Sequence, residues 1–137
     1  MNKIFVVDDD AFSLSIFEQH LINQGFTAIS LFTNAADCIS RLHEKPDVIL
    51  TDYRMPGIDG LDLLKKVKQI NHHIYVIFIA QQNDIQDALA SLEYGSFDYL
   101  LKGVDEGKRI EFLLRKIKYT THVLNKYTSN SAERIYS

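Results

Sequence analysis

The sequence has few of the features that mark secreted, membrane-spanning or nucleic-acid-binding proteins. Cys38 is its only cysteine, so no internal disulfide can form and a reducing compartment fits best. The longest apolar run, Ile74–Ala80, is too short to span a bilayer. The 15 basic residues are outnumbered by 18 acidic ones, which argues against a nucleic-acid surface made by bulk positive charge. The N-terminus is too short and too acidic for a signal peptide. We therefore expect a soluble, cytoplasmic protein without direct contact to nucleic acid or membrane.

The length and composition predict a single globular domain. The chain has 137 residues, of which 46% are hydrophobic and 24% charged. We find no internal repeat and no low-complexity segment. The last residues, 127–137, are polar and lack periodicity, so we expect a domain over 1–126 followed by a disordered tail or a linker.

Five short apolar runs are typical of β-strands. They are residues 4–7, 26–32, 48–51, 74–80 and 97–101. The first, third and fourth runs are apolar on both faces, as in parallel strands covered by helices on both sides. Helical periodicity separates the runs, and this alternation predicts a doubly wound α/β domain: a three-layer (βα)5 sandwich around a five-stranded parallel sheet.

Helix signals lie between the strands. Asn34 is a candidate N-cap of the second helix. Asn83 or Asp84 would cap a fourth helix, whose apolar side is formed by Ile85, Leu89 and Leu92. The sequence also places the start of the last helix at Asp105.

Charged residues follow three of the predicted strands. Asp8 and Asp9 end the first strand and Asp52 ends the third, so their carboxylates should converge at the carboxyl edge of the sheet. Two unit charges about 4 Å apart repel by roughly 4 kcal/mol at an effective dielectric near 20, so such a cluster needs a proton or a divalent cation. Oxygen ligands favour Mg²⁺, with Mn²⁺ possible. Lys102 ends the fifth strand and can bind a phosphoryl oxygen.

Three motifs in this order resemble a response-regulator receiver domain, the phosphoacceptor half of two-component signalling. They are Val-Asp-Asp after the first strand, Asp-Tyr-Arg-Met-Pro-Gly-Ile-Asp-Gly over 52–60, and Phe-Asp-Tyr-Leu-Leu-Lys over 97–102. The resemblance covers nearly all of residues 1–126 and implies a flavodoxin-like fold. It also implies a phosphoacceptor domain that is not otherwise an enzyme, with a sensor histidine kinase or a phosphotransfer protein as its partner.

The resemblance assigns a role to each matching residue. Asp52 would be the phosphorylated residue. Asp9, Asp52 and the backbone carbonyl of Arg54 would bind Mg²⁺ directly, and Asp8 would hold the ion through water. Lys102 would contact the phosphoryl group.

The sequence departs from the family pattern at three places. Ala80 stands where the family has a Ser or Thr whose hydroxyl bonds the phosphoryl group while an aromatic residue, here Tyr99, turns inward. A hydrogen bond to a charged group is worth roughly 1.5–3 kcal/mol, so its loss weakens the bias toward the active state by about ten- to a hundredfold. Gly103 replaces a cis-proline, and we expect a trans bond there. Arg54 and Gln82 are at variable positions: Arg54 is a candidate partner of the phosphoryl group, and Gln81 or Gln82 could orient an attacking water.

Two other functions are compatible with parts of the sequence. The first is a receiver-like interaction module whose output depends little on phosphorylation, as Ala80 and Gly103 suggest. A homodimer through the fourth helix, fifth strand and fifth helix fits either function. The second is a phosphatase of the haloacid dehalogenase type, because Asp8-x-Asp10 offers its Asp-x-Asp start. Phe12 and the short chain disfavour it.

Overall fold

The computed structural model describes the backbone of residues 3–136 and the side chains of residues 3–127. Strands and helices alternate along the chain. The strands are β1 (Lys3–Val7), β2 (Ala28–Phe32), β3 (Val48–Asp52), β4 (Tyr75–Ala80) and β5 (Asp98–Leu101). The helices are α1 (Ala11–Asn23), α2 (Ala35–Ser40), α3 (Gly60–Ile70), α4 (Ile85–Ala90) and α5 (Glu106–Tyr136). Short 3₁₀ turns follow α2 and lie on both sides of α4.

The strands form one parallel sheet in the order β2-β1-β3-β4-β5. The order reverses after β1, so the carboxyl ends of β1 and β3 lie side by side at the sheet's switch point. The predicted doubly wound α/β fold is therefore confirmed. Central strands β1, β3 and β4 are buried almost throughout, while edge strands β2 and β5 are only partly buried, as the double-sided apolar runs predicted.

Two apolar cores hold the layers together. One core joins the sheet to α1 and α5 and contains Ile4, Val6, Phe17 and Ile110. The other joins it to α2, α3 and α4, and the alternate residue of β1, Phe5, belongs to it. This alternation follows from the two-residue period of a strand.

Side-chain caps fix where three of the helices begin. Asp10 accepts from the backbone N–H of Phe12 at the start of α1. Asn34 accepts from the N–H of Asp37 at the start of α2, as predicted. Asp59 does the same for α3. These short polar side chains satisfy N–H groups that have no partner within the helix.

The apolar side predicted for α4 is not the side that is buried. Leu89 and Leu92 are each 46% exposed, and the buried residues of this segment include Ala88 and Ser91. The side of α4 that meets the core carries Ala88, one residue before Leu89, and in the 3₁₀ turn that follows Ser91 is buried while Leu92 is exposed. Small residues pack against the sheet in place of Leu89 and Leu92.

Helix α5 extends well beyond its residues that belong to the core. It begins directly after Asp105, as predicted, and its backbone stays helical to Tyr136. Residues 127–136, expected to be a disordered tail or a linker, therefore continue the helix; their side chains beyond Tyr127 and residue 137 lie outside the described residues. A linker can be helical, so the boundary at 126 stays a prediction. Over the described residues, none of the helices combines the length and apolar character needed to cross a bilayer.

Substitutions in α4 test which of its sides faces the sheet. Ala88 is 2% exposed, so Ala88→Leu should lower the free energy of unfolding by roughly 1–3 kcal/mol through overpacking. Leu89→Ala should change it by less than about 0.5 kcal/mol, because Leu89 is half exposed. Denaturant unfolding measures both. A larger loss for Leu89→Ala than for Ala88→Leu would contradict the observed orientation.

Candidate functional site

Two neighbouring strands deliver three carboxylates to one point. Asp8 and Asp9 follow β1, Asp52 is the last residue of β3, and Val7 pairs with Thr51 in the sheet. One carboxylate oxygen from each acid lies within 4.8 Å of the others. Asp8 is fully buried and Asp52 is 6% exposed, whereas Asp9 is exposed to solvent. These acids form what we call the acidic cluster (Asp8, Asp9 and Asp52).

Lys102 provides a positive charge beside the acidic cluster. It directly follows β5, and its backbone N–H donates to the carbonyl of Ala80. Its Nζ lies 3.1 Å from Oδ2 of Asp8 and 3.9 Å from Oδ2 of Asp52. Burial acts to lower the pKa of Lys102, but the hydrogen bond to Asp8 and the nearby negative charges outweigh burial and raise it. The ammonium group therefore stays protonated near neutral pH.

The acidic cluster changes the proton affinity of Asp52. Burial, with the charges of Asp8 and Asp9, raises the pKa of Asp52 from 3.8 to about 6, against the opposing effects of Lys102 and a hydrogen bond from the backbone of Arg54. Near neutral pH the carboxyl group is mostly ionised, as a nucleophile must be. A nearby cation would further stabilise the ionised form of Asp52.

The residues present fit a hard divalent cation. The acidic cluster supplies oxygen atoms only, from three separate side chains, and two of these side chains are buried. Carboxylates with room for water are the ligands that Mg²⁺ prefers. Lys102 contributes a single positive charge, so the three acids near it keep a negative excess.

Gly60 sets how closely α3 approaches the end of β3. A Cβ added there would lie 2.6 Å from the carbonyl oxygen of Asp52 and 2.9 Å from the ring of Phe78. The N–H of Gly60 also donates to the carbonyl of Tyr53. A side chain at position 60 would therefore displace the backbone of Asp52.

Ala80 is fully buried at the last position of β4. Its methyl group belongs to the core on the α2–α3–α4 side, and the half-buried ring of Tyr99 packs against the same core. Position 80 thus lies at the carboxyl edge of the sheet, one residue beyond Ile79, which pairs with Asp52.

The side chain of Arg54 contacts two acids near the start of α4, and its pairing with a phosphoryl group stays a prediction. Its Nε lies 3.0 Å from Oδ1 of Asp84 and its Nη2 lies 3.0 Å from Oδ2 of Asp87. Sequence reasoning treated Asp84 as a helix cap and did not consider Asp87. Two acids spaced i, i+3 at a predicted helix start, opposite a loop arginine, are the signal that could have identified this contact.

The structure also answers questions about two single residues, Gly103 and Cys38. All peptide bonds of the described residues are trans, so the expected trans bond at Gly103 is confirmed. Cys38 is fully buried, and burial raises the pKa of its thiol to about 12 despite the opposing effect of Arg41. Such a thiol packs as a small apolar side chain.

The fold and the position of the acids define a class of protein: an α/β domain with its reactive groups at the carboxyl ends of parallel strands. The family model for the response regulator receiver domain matches residues 4–114. The chain belongs to this family. Receiver domains are signalling domains of two-component systems, are phosphorylated on an aspartate and generally bind Mg²⁺ at an acidic pocket.

Several relatives share this domain. The DNA-binding transcriptional regulator NtrC of Escherichia coli is 38% identical over 117 residues, which cover 85% of this chain and 25% of NtrC. The transcriptional regulatory protein ZraR of Salmonella typhimurium is 30% identical, over 94% of this chain and 29% of its own. The chain thus spans about a quarter of the length of the curated relatives it matches.

Solved structures agree with the fold. The apo receiver domain of nitrogen regulatory protein C superposes with a TM-score of 0.75 at 36% identity, covering 86% of this chain and 95% of that domain. A response regulator receiver domain protein from Clostridium thermocellum superposes with a TM-score of 0.83 at 25% identity, covering 90% and 99%.

Replacing Asp52 should stabilise the protein in a pH-dependent way. Its folded-state pKa of about 6 exceeds the ordinary 3.8, so the folded state binds the proton more tightly and stability falls as pH rises from about 4 to about 6. In EDTA, Asp52→Asn should therefore raise the free energy of unfolding above about pH 7 by at most about 3 kcal/mol, with little gain near pH 4. Denaturant unfolding at both pH values measures this. An equal gain at both would contradict the assignment.

Proposed function

We propose that this chain accepts a phosphoryl group on Asp52 from the phosphohistidine of a sensor histidine kinase or a phosphotransfer protein, in a Mg²⁺-dependent reaction. The observation that carries the proposal is the crowding of Asp52 against Asp8 and Asp9 within 4.8 Å, with Nζ of Lys102 3.9 Å from the acceptor carboxylate. An ionised carboxylate beside a cation is suited to attack phosphorus.

Each residue has a defined part in the transfer. A carboxylate oxygen of Asp52 forms the new P–O bond, and the P–N bond to the donor imidazole breaks with its electron pair returning to nitrogen. Lys102 places a positive charge where phosphoryl oxygens arrive. Asp9, Asp52 and the backbone carbonyl of Arg54 would hold Mg²⁺ directly, and Asp8 through water. The ion would neutralise charge on the phosphoryl oxygens.

The domain is proposed to catalyse only its own phosphorylation and dephosphorylation, in the cytoplasm. Its relatives NtrC and ZraR are named as transcriptional regulators, and the matched segment covers only 25% of NtrC and 29% of ZraR. A comparable output for this chain would come from residues outside the domain. A homodimer through α4, β5 and α5 is also proposed.

The conformational response of Tyr99 to phosphorylation is proposed to be weak. Ala80 offers no hydroxyl to the phosphoryl group, and Tyr99 is already packed against the core that contains Ala80. In the family, a hydroxyl at this position connects the phosphoryl group to the aromatic side chain. Ala80 cannot make that connection to Tyr99.

A second candidate function is an interaction module whose output depends little on phosphorylation. The exposed apolar side chains around α4 favour it: Leu89, Leu92 and Tyr94 are each 46–49% exposed. Lys65 lies over the ring of Tyr94, with Nζ 4.6 Å from the ring centroid. Such side chains suit contact with a partner protein.

Intact-mass spectrometry tests the phosphoacceptor role. Treatment with acetyl phosphate and Mg²⁺ should give a single phosphoryl adduct that is absent with EDTA and absent in Asp52→Ala. Asp62→Ala, which removes an exposed acid on α3, is the matched control and should still form the adduct. An adduct that persists in Asp52→Ala would overturn the assignment of the acceptor.

A hydroxyl at position 80 should strengthen the response. In wild type, addition of beryllium fluoride with Mg²⁺ should shift amide resonances near Asp52 but hardly at Tyr99. In Ala80→Thr the shift should extend to Tyr99, because the added hydroxyl can bond the phosphoryl mimic. Ala80→Val adds the same bulk without the hydroxyl and should resemble wild type. If Val and Thr behave alike, side-chain volume and not hydrogen bonding controls the response.

A further inference from the structure

Arg54 contacts both the acceptor residue and α4. Its backbone N–H is near the carboxylate of Asp52 and acts to lower the pKa of that group. Its guanidinium donates two hydrogen bonds of 3.0 Å, one to the carboxylate of Asp84 and one to that of Asp87. One residue of the β3–α3 loop therefore touches the phosphorylation site with its main chain and the start of α4 with its side chain.

The contact with Asp84 replaces an ordinary helix cap. Asp84 occupies the N-cap position of α4, but its side chain makes no capping hydrogen bond. It is only 6% exposed and instead accepts from Nε of Arg54. An aspartate at this position usually bonds N–H groups of its own helix. Here its orientation is set by the guanidinium.

Arg54 and Asp84 differ strongly in solvent exposure. The side chain of Arg54 is 63% exposed and can rotate into solvent at little cost, whereas that of Asp84 is 8% exposed. A buried carboxylate that loses its charged partner has to be solvated again or protonated. Departure of Arg54 therefore favours movement of the first turn of α4 toward water.

We propose that Arg54 is the positioning residue that holds α4 against the acceptor loop, and that a phosphoryl group on Asp52 releases α4 by competing for the guanidinium of Arg54. The second half rests on the proposed function. A phosphoryl group carries more negative charge than the carboxylate and matches the planar guanidinium bidentately. This coupling needs no hydroxyl at position 80, so it provides a route from Asp52 to α4 in a chain that has Ala80.

Amide hydrogen exchange in the unmodified full chain tests the first half. Arg54→Gln removes the charge and keeps a polar side chain of similar length. Exchange of the amides of residues 88–94 should accelerate on the order of tenfold, the size expected for loss of a partly exposed charge-assisted hydrogen bond. Arg115→Gln, which breaks an exposed ion pair with Glu111 on α5, is the matched control and should leave these amides unchanged.

A double substitution separates the clamp from a general effect on stability. Asp84→Asn should also accelerate exchange at 88–94. Arg54→Gln combined with Asp84→Asn should add little to Arg54→Gln alone, since both changes remove the same contact. Additive effects, or exchange in Arg54→Gln equal to that in wild type, would overturn the clamp.

The second half is tested with beryllium fluoride and Mg²⁺, with binding followed separately by the amide resonance of Tyr53. On binding, wild type should show faster exchange at 88–94, whereas Arg54→Gln, already loosened, should show no further increase. Unchanged exchange in wild type with the mimic bound would overturn the release. If neither the mimic nor acetyl phosphate modifies Asp52, the proposed function fails, and the exchange of unmodified Arg54→Gln still decides whether the clamp exists.

Discussion

The repulsion among three carboxylates is the constraint on which the carboxyl edge of the sheet depends. Asp8 and Asp52 are buried side by side because β1 and β3 pair in parallel register. Burial, and after it the charge of Asp8, raises the pKa of Asp52, and the ammonium group of Lys102 lies 3.1 Å from Asp8. The fold thus stores unfavourable electrostatic energy at one point, and whatever neutralises that point gains binding energy from it.

The same constraint explains why cations around the site are not interchangeable. Lys102 lies directly against the buried Asp8. Arg54 is two residues from Asp52, yet its charge is committed to acids of α4. Lys102 therefore supplies a positive charge next to the acidic cluster, whereas the charge of Arg54 is paired with other acids. The acidic cluster keeps a net negative charge.

Sequence patterns predicted the sheet, the convergence of the acids and the helix start at Asn34, because each depends on local periodicity or on the position of a strand end. They did not predict which side of α4 is buried, because the apolar pattern favoured Leu89 and Leu92, whereas the small residues Ala88 and Ser91 are the buried ones. The pairing of Arg54 with Asp84 and Asp87 was also missed, because it joins residues about 30 positions apart. The i, i+3 spacing of the two acids was a local signal for such a contact, but it does not specify the distant partner.

Strand β4 connects the two ends of the domain. At its carboxyl end, the carbonyl of Ala80 accepts the N–H of Lys102. At its other end, the hydroxyl of Tyr75 lies 3.1 Å from that of Thr121 on α5. Five residue steps of strand separate these points, roughly 17 Å. The two ends of one central strand are therefore tied to different segments of the chain, one to the residue beside the acidic cluster and the other to α5.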